Sequence, residues 1–181
     1  HINEFGIELL NSRDLCKYIG CSTQPLFRNF NNMDNFKIEL RKYLHDYYDL
    51  YIEKIVDKND YLYTISYAYA FYAKKEPNIF FTLFMTDFAG SRTVEEVLNT
   101  DRNFETIEAM VKQYNITLEE AKRVYREVRF YTHGIATQLC VNSIKLNDSE
   151  IKDLIKNNIE INLRGINYEF IWKKSKTKNI L

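Results

Sequence analysis

The sequence predicts an all-helical protein, and three observations carry that prediction. Turn formers are scarce: 5 Gly and 2 Pro in 181 residues are too few for a β-sandwich or barrel of this size. Apolar residues recur at intervals of three and four rather than two. Capping residues stand at regular breaks, so helix ends are legible. An apolar fraction of 45%, with 14 Tyr and 12 Phe, supplies a large core. No strand pattern and no internal repeat competes.

Residues 2–9 form what is expected to be the end of a first helix whose earlier part is absent. Asn11 then precedes Ser12-Arg13-Asp14-Leu15, a cap with a carboxylate three residues on, and Gly20 breaks that short helix. Ser22 is expected to cap a second short helix, with Pro25 in its first turn, where a missing N–H does little harm. Asn31-Asn32 opens a third segment.

From Met33 to about residue 57 neither Gly nor Pro intervenes. Phe36, Leu40, Tyr43, Tyr47 and Leu50 follow one another at intervals of 4, 3, 4 and 3. A helix of about 25 residues would be about 37 Å long. Apolar groups cover more than half its girth, so it should be buried on two sides, as a connector between domains is.

An aromatic helix is expected from Tyr61 to about Lys75, stopping before Pro77, and another apolar stretch from Asn78 to about Phe88. Thr93-Val94-Glu95-Glu96 and Thr117-Leu118-Glu119-Glu120 both match the capping box. The second should open a helix reaching Ile144, with an inward stripe of Ala121, Val124, Val128, Tyr131, Ile135 and Leu139. Asn147-Asp148 caps a last long helix with Ile151, Leu154, Ile155, Ile159, Leu163, Ile166 and Phe170 on one side.

Several function classes find no support. The chain has no nucleophile elbow, Walker loop, dinucleotide fingerprint or metal-spaced His pair, so no enzyme activity, cofactor or metal is expected. Cys16, Cys21 and Cys140 make no disulfide framework and fit a reducing cytosol. No apolar run approaches a membrane span, and no signal peptide is legible at the start. The wealth of Asn, Lys, Ile and Tyr suggests an AT-rich bacterial genome.

Chemistry concentrates in residues 10–30. Two short helices meeting at a steep angle need a small residue at the contact and a Gly-like turn between them; Cys16 and Gly20 supply these. Leu15, Ile19, Cys21, Leu26, Phe27 and Phe30 are expected to form the apolar seam. Left outward on the second helix are hydrogen-bonding side chains suited to base edges and phosphates. No carboxylate lies between Asp14 and Asp34, and across residues 11–45 six cations against three carboxylates leave +3, although the whole chain is neutral.

This segment resembles the DNA-binding domain of TetR-family regulators, whose signature runs Thr/Ser-x-x-x-Ile/Leu-Ala-x-x-x-Gly-Val-Ser-x-x-x-Leu-Tyr-x-x-Phe. Leu15, Gly20, Ser22, Leu26 and Phe30 stand at matching positions without gaps. Asn11 replaces the opening hydroxyl residue, Cys16 the Ala, Cys21 the Val, Phe27 the Tyr, and Met33 a Lys usual after the second helix. Tyr and Lys commonly hold phosphates in the family, so other groups should serve here. Tyr131-Thr132-His133-Gly134 also resembles a Trp-His-Gly motif of one TetR subgroup, with Thr132 in place of Trp.

The resemblance implies about nine helices. A helix-turn-helix DNA-binding domain would occupy residues 1–45, and a helical effector-binding and dimerisation domain residues 46–181. Thr23, Gln24, Pro25 and Asn29 would face base edges. Asn11, Ser12, Arg13, Ser22, Arg28, Asn32 and Lys37 would face phosphates of double-stranded operator DNA. A homodimer would form through residues 117–144 and 148–171. A small hydrophobic or aromatic effector would enter among Tyr67, Phe71, Phe81, Phe84, Phe88, Phe104, Tyr131 and His133 and release a repressor from a palindromic site. The alternative is a helical carrier of hydrophobic molecules whose helix-turn-helix no longer binds DNA.

Overall fold

The computed structural model describes residues 1–7, 10–86 and 93–178, with the backbone alone described at Phe5 and over 167–178. The described residues are all-α: ten α-helices, one 3-10 turn and no strand. They are α1 (Ile2–Phe5), α2 (Ser12–Ile19), α3 (Gln24–Phe30), α4 (Met33–Glu53), α5 (Tyr61–Lys75), α6 (Pro77–Phe84), α7 (Val94–Leu98), α8 (Asp101–Tyr114), α9 (Leu118–Cys140) and α10 (Asp148–Lys178).

Local chemistry sets most of these ends. Asn11 Oδ1 accepts from the backbone N–H of Arg13 and Asp14 at 3.1 and 3.0 Å, and Gly20 closes α2 in the left-handed conformation at φ 73°. Both expected capping boxes form, with Thr93 and Glu96 closing on α7 and Thr117 and Glu120 on α9. Asn147 and Glu150 exchange the same reciprocal pair at the start of α10.

Several expected ends move, α1 stopping at Phe5 and α6 at Phe84 among them. The long helix α4 stops at Glu53 rather than near residue 57, because Asp57 caps a 3-10 turn over Lys58–Asp60 while Thr64 Oγ1 donates to the Asp57 and Asp60 carbonyls. The ninth helix ends at Cys140 rather than Ile144. Asn142 takes a left-handed φ of 53°, and the Ser143 N–H and hydroxyl both donate to Gln138 O. Ser22 does not cap α3; Thr23 occupies that position and makes no side-chain cap.

The core has two lobes that meet along α5. One joins α5, α8, α9 and α10 through Leu62, Ile107, Met110, Val124, Val128, Ile151 and Ile155. The other joins α1, α4, α5 and α6 through Ile2, Leu44, Tyr48, Ile52, Tyr72 and Phe80. Fully buried Ala68, Ala70 and Ala73 keep α5 thin enough for neighbours to approach on several sides. The inward stripe of α9 is as expected except at Tyr131, which is exposed. Ile151, Leu154, Ile155, Ile159, Leu163 and Ile166 of α10 pack into the first lobe, while Phe170 lies beyond the described side chains.

These contacts place the small N-terminal helices. The first packs on α6, where Asn78 Nδ2 donates to Asn3 O at 2.8 Å, and α3 packs on α4, where Phe30 meets Phe36 edge-on at 5.1 Å. The expected boundary at residues 45–46 falls inside α4, whose first turns carry α3 and whose later turns enter the second lobe.

Candidate functional sites: a polar two-helix face and an arginine-lined cavity

Two regions carry functional chemistry. The first is α2, the Gly20 turn and α3. Cys16 and Leu26 are buried in the seam, with Leu15 and Phe30 partly buried beside them. Burial and the neighbouring Cys21 push the Cys16 thiol upward, so it packs as a small neutral group. The expected seam is wider than the observed one. Ile19 and Cys21 are exposed, and Phe27 is 40% exposed, because α3 is only seven residues long and turns that side outward.

Of the residues expected to meet DNA, Asn11, Arg13, Ser22, Gln24, Pro25, Arg28, Asn29 and Asn32 are exposed, while Ser12, Thr23 and Lys37 are partly buried. Asn11 and Asn32 use their carbonyl oxygens as caps of α2 and α4, the latter accepting from Asn35 N at 2.8 Å. Asp14, the one carboxylate on α2, accepts from Asn11 Nδ2 at 2.7 Å.

The second region is a cavity between α4, α5, α6, α8 and α9. It has a lobe of about 280 Å³ and an adjoining one of about 320 Å³, which share Arg41, Tyr69, Leu83, Phe84, Val97 and Arg129. These volumes fall at the small end of small-molecule sites. Aromatic rings wall it: Phe84 meets Tyr48 at 5.0 Å and Tyr69 at 5.1 Å between ring centroids.

The polar lining is largely cationic. Arg129 faces both lobes, Arg102 the first, and Arg41 donates to Leu83 O at 3.4 Å. Asp49 of α4 lies against Arg102 of α8 and is the only carboxylate among the described lining residues of either lobe. Tyr125 donates to Asn103 Oδ1 at 2.7 Å, and Tyr69 Oη lies 2.9 Å from His133 Nδ1. Burial, and then the charge of Arg129, hold His133 below its usual pKa, so its ring is neutral at pH 7. Burial keeps the Tyr48, Tyr69 and Tyr125 phenols protonated, against the opposing charge of Arg129.

No family model matches this chain, and neither the curated proteins nor the solved structures contain a match.

The aromatic residues expected in the cavity divide. Phe84 and His133 line it. Tyr67 and Phe71 instead stack on each other at 5.6 Å, with Lys152 over the Tyr67 ring. Phe81 and Phe104 are partly buried but absent from its lining, Tyr131 is 37% exposed, and Phe88 lies outside the described residues. The sequence reading missed Arg41, Asp49, Arg102, Tyr125, Arg129 and Thr132. A signal for some was present. Tyr125, Arg129 and His133 recur every fourth residue, as do Arg41, His45 and Asp49, so each set occupies one helix face.

Among the described residues, no three His, Cys, Asp or Glu side chains gather as a metal site, and no helix is long and apolar enough to cross a membrane.

Proposed function

We propose that the chain is a one-component transcriptional regulator of the TetR type, reading duplex DNA with α2 and α3 and sensing a small molecule in the cavity. The observation that carries this reading is the exposed polar face of α3. Gln24, Pro25, Arg28 and Asn29 project from a short helix behind a left-handed Gly20 turn, beside exposed Arg13 and Lys17. Such a face suits a major groove, with forked side chains at base edges and cations at phosphates. The family resemblance of residues 11–30 supports the same assignment.

Homodimerisation supplies the second reader. The apolar stripes of α9 and α10 are taken up within the chain, so pairing would use what these helices leave outside: Tyr131 and Gly134 on α9, Val141 just after it, and Ile161, 68% exposed, on α10. A Cβ at Gly134 would meet nothing within 4 Å, so that face leaves room for close approach. A two-fold dimer would present its α3 helices to successive major grooves about 34 Å apart on a palindromic operator.

Titration of the full chain against a library of duplexes at two salt concentrations tests the reading. The expected result is salt-sensitive, sequence-selective binding of a dimer. Binding that ignores sequence would overturn it in favour of a helical carrier of hydrophobic molecules. The carrier reading draws on the cavity together with exposed Phe27, which stands where the family places a phosphate-holding Tyr.

A further inference from the structure

The cavity contains a charge that meets no opposite charge among the described residues. Arg129 is partly buried, faces both lobes, has the Tyr125 hydroxyl as a hydrogen-bond partner, and forms no ion pair with any carboxylate among the described residues. Arg102 Nη1 already lies against Asp49 Oδ1, so that cation has its counter-charge. Thr132, 3% exposed on the same wall, has a hydroxyl with no partner. Unsatisfied buried donors are rare and costly, and here one, the Thr132 hydroxyl, stands beside a guanidinium that meets no opposite charge among the described residues.

We propose that this cavity takes an organic monocarboxylate with a flat apolar body, its carboxylate received by Arg129, Arg102 and Thr132. One charge fits because Asp49 already answers Arg102, which leaves Arg129 as the cation without an opposite charge among the described residues. The two oxygens of a carboxylate offer about four lone-pair sites, enough for the fork of the Arg129 guanidinium, the Thr132 hydroxyl and an N–H of Arg102. The body is apolar because Tyr48, Tyr69, Phe84 and Leu83 form the remaining wall. His133, neutral beside Tyr69, adds no competing charge.

This deepens the reading of the cavity as an effector site, and it rests on that reading. It also supplies a route to DNA. Arg41, His45 and Asp49 all belong to α4, the helix on which α3 packs. A carboxylate at Arg102 competes with Asp49 for the contact that ties α4 to α8. An effector that shifts α4 in this way changes the spacing of the two α3 helices, which is a differential affinity for two states.

Calorimetry on the full chain tests the inference with benzoate, phenylacetate, 2-naphthoate and indole-3-acetate, each against its primary amide. At least one acid is expected to bind ten or more times tighter than its amide. Arg129→Gln should abolish that preference, and Arg129→Lys should keep part of it. Thr132→Val, which removes an unpartnered hydroxyl at nearly constant volume, should weaken the acid about fivefold and leave the amide alone. It decides the matter if Arg129→Gln does not fold. Absence of any acid preference overturns the inference, as does a preference that both Arg129→Gln and Thr132→Val leave intact. Operator titration of the same protein keeps the two readings apart. Acid selectivity without DNA binding sinks the regulator and leaves the anion site, whereas sequence-selective DNA binding without acid selectivity does the reverse.

Discussion

At the scale of single residues, the instructive group is Arg129. A cation drawn partly out of water without a counter-charge destabilises the fold unless something else compensates it. The protein alone should therefore gain stability when the charge is removed. Arg129→Met is expected to raise the melting temperature by roughly 2–4 °C, the shift of about 1 kcal/mol in a chain of this length. A lower melting temperature in thermal unfolding would mean that Arg129 is held by contacts worth more than its desolvation.

His133 makes a prediction of opposite character. Its folded pKa is lowered from 6.5, so below that pH the unfolded chain binds a proton that the folded chain refuses. Stability should therefore fall as pH drops below 6.5, and His133→Gln should remove part of that acid-side slope in denaturant titrations. On the face proposed to read DNA, Arg28→Ala is expected to cost about 1–3 kcal/mol of operator affinity while leaving thermal stability within about 0.5 kcal/mol. A binding assay paired with a melt separates these outcomes.

At the scale of elements, short helices depend on their ends. The second helix has eight residues, too few to be stable alone, and rests on the Asn11 cap and the Gly20 turn. Asn11→Ala is expected to cost about 1 kcal/mol. Gly20→Ala meets no steric obstacle, since nothing lies within 4 Å of a Cβ there, but it forces an L-residue to a φ of 73°. That strain alone should cost roughly 1–2 kcal/mol. Equal stability of Gly20→Ala and the parent in urea would show that the turn relaxes.

Such ends were legible in the sequence because caps act over three or four residues. Two of the ends that moved depended on side chains reaching further. Thr64 bridges back to Asp57, and Ser143 folds onto Gln138 behind a left-handed Asn142. Ser22 lost its capping role when the turn placed Thr23 next to the helix instead.

At the scale of the whole molecule, α5 is the centre on which the two core lobes meet, and α4 runs from the polar N-terminal helices into the cavity. A small change at the cavity wall therefore has a rigid helix through which to act. The dimer proposal is tested at this scale. Ile161→Arg on α10 and Gly134→Trp on α9 should each convert a dimer to a monomer in light scattering, with melting changed by less than a core substitution would change it. If both variants remain dimeric, pairing uses another face.

By itself the sequence determined that the protein is all-helical, where most helices begin, and that a short polar helix follows a glycine turn near the start. These are consequences of residue spacing and neighbouring hydrogen bonds, which act locally. Only the tertiary structure decided which aromatic residues enclose space. Tyr67 and Phe71 share α5 with Tyr69, yet they stack away from the cavity that Tyr69 lines. It also decided that Arg41, Arg102 and Arg129, distant in sequence, converge with a single carboxylate among the described residues of that wall. A helical pattern shows which residues share a face. The burial of a charge, and whether it finds a partner, depends on which other helices pack against that face.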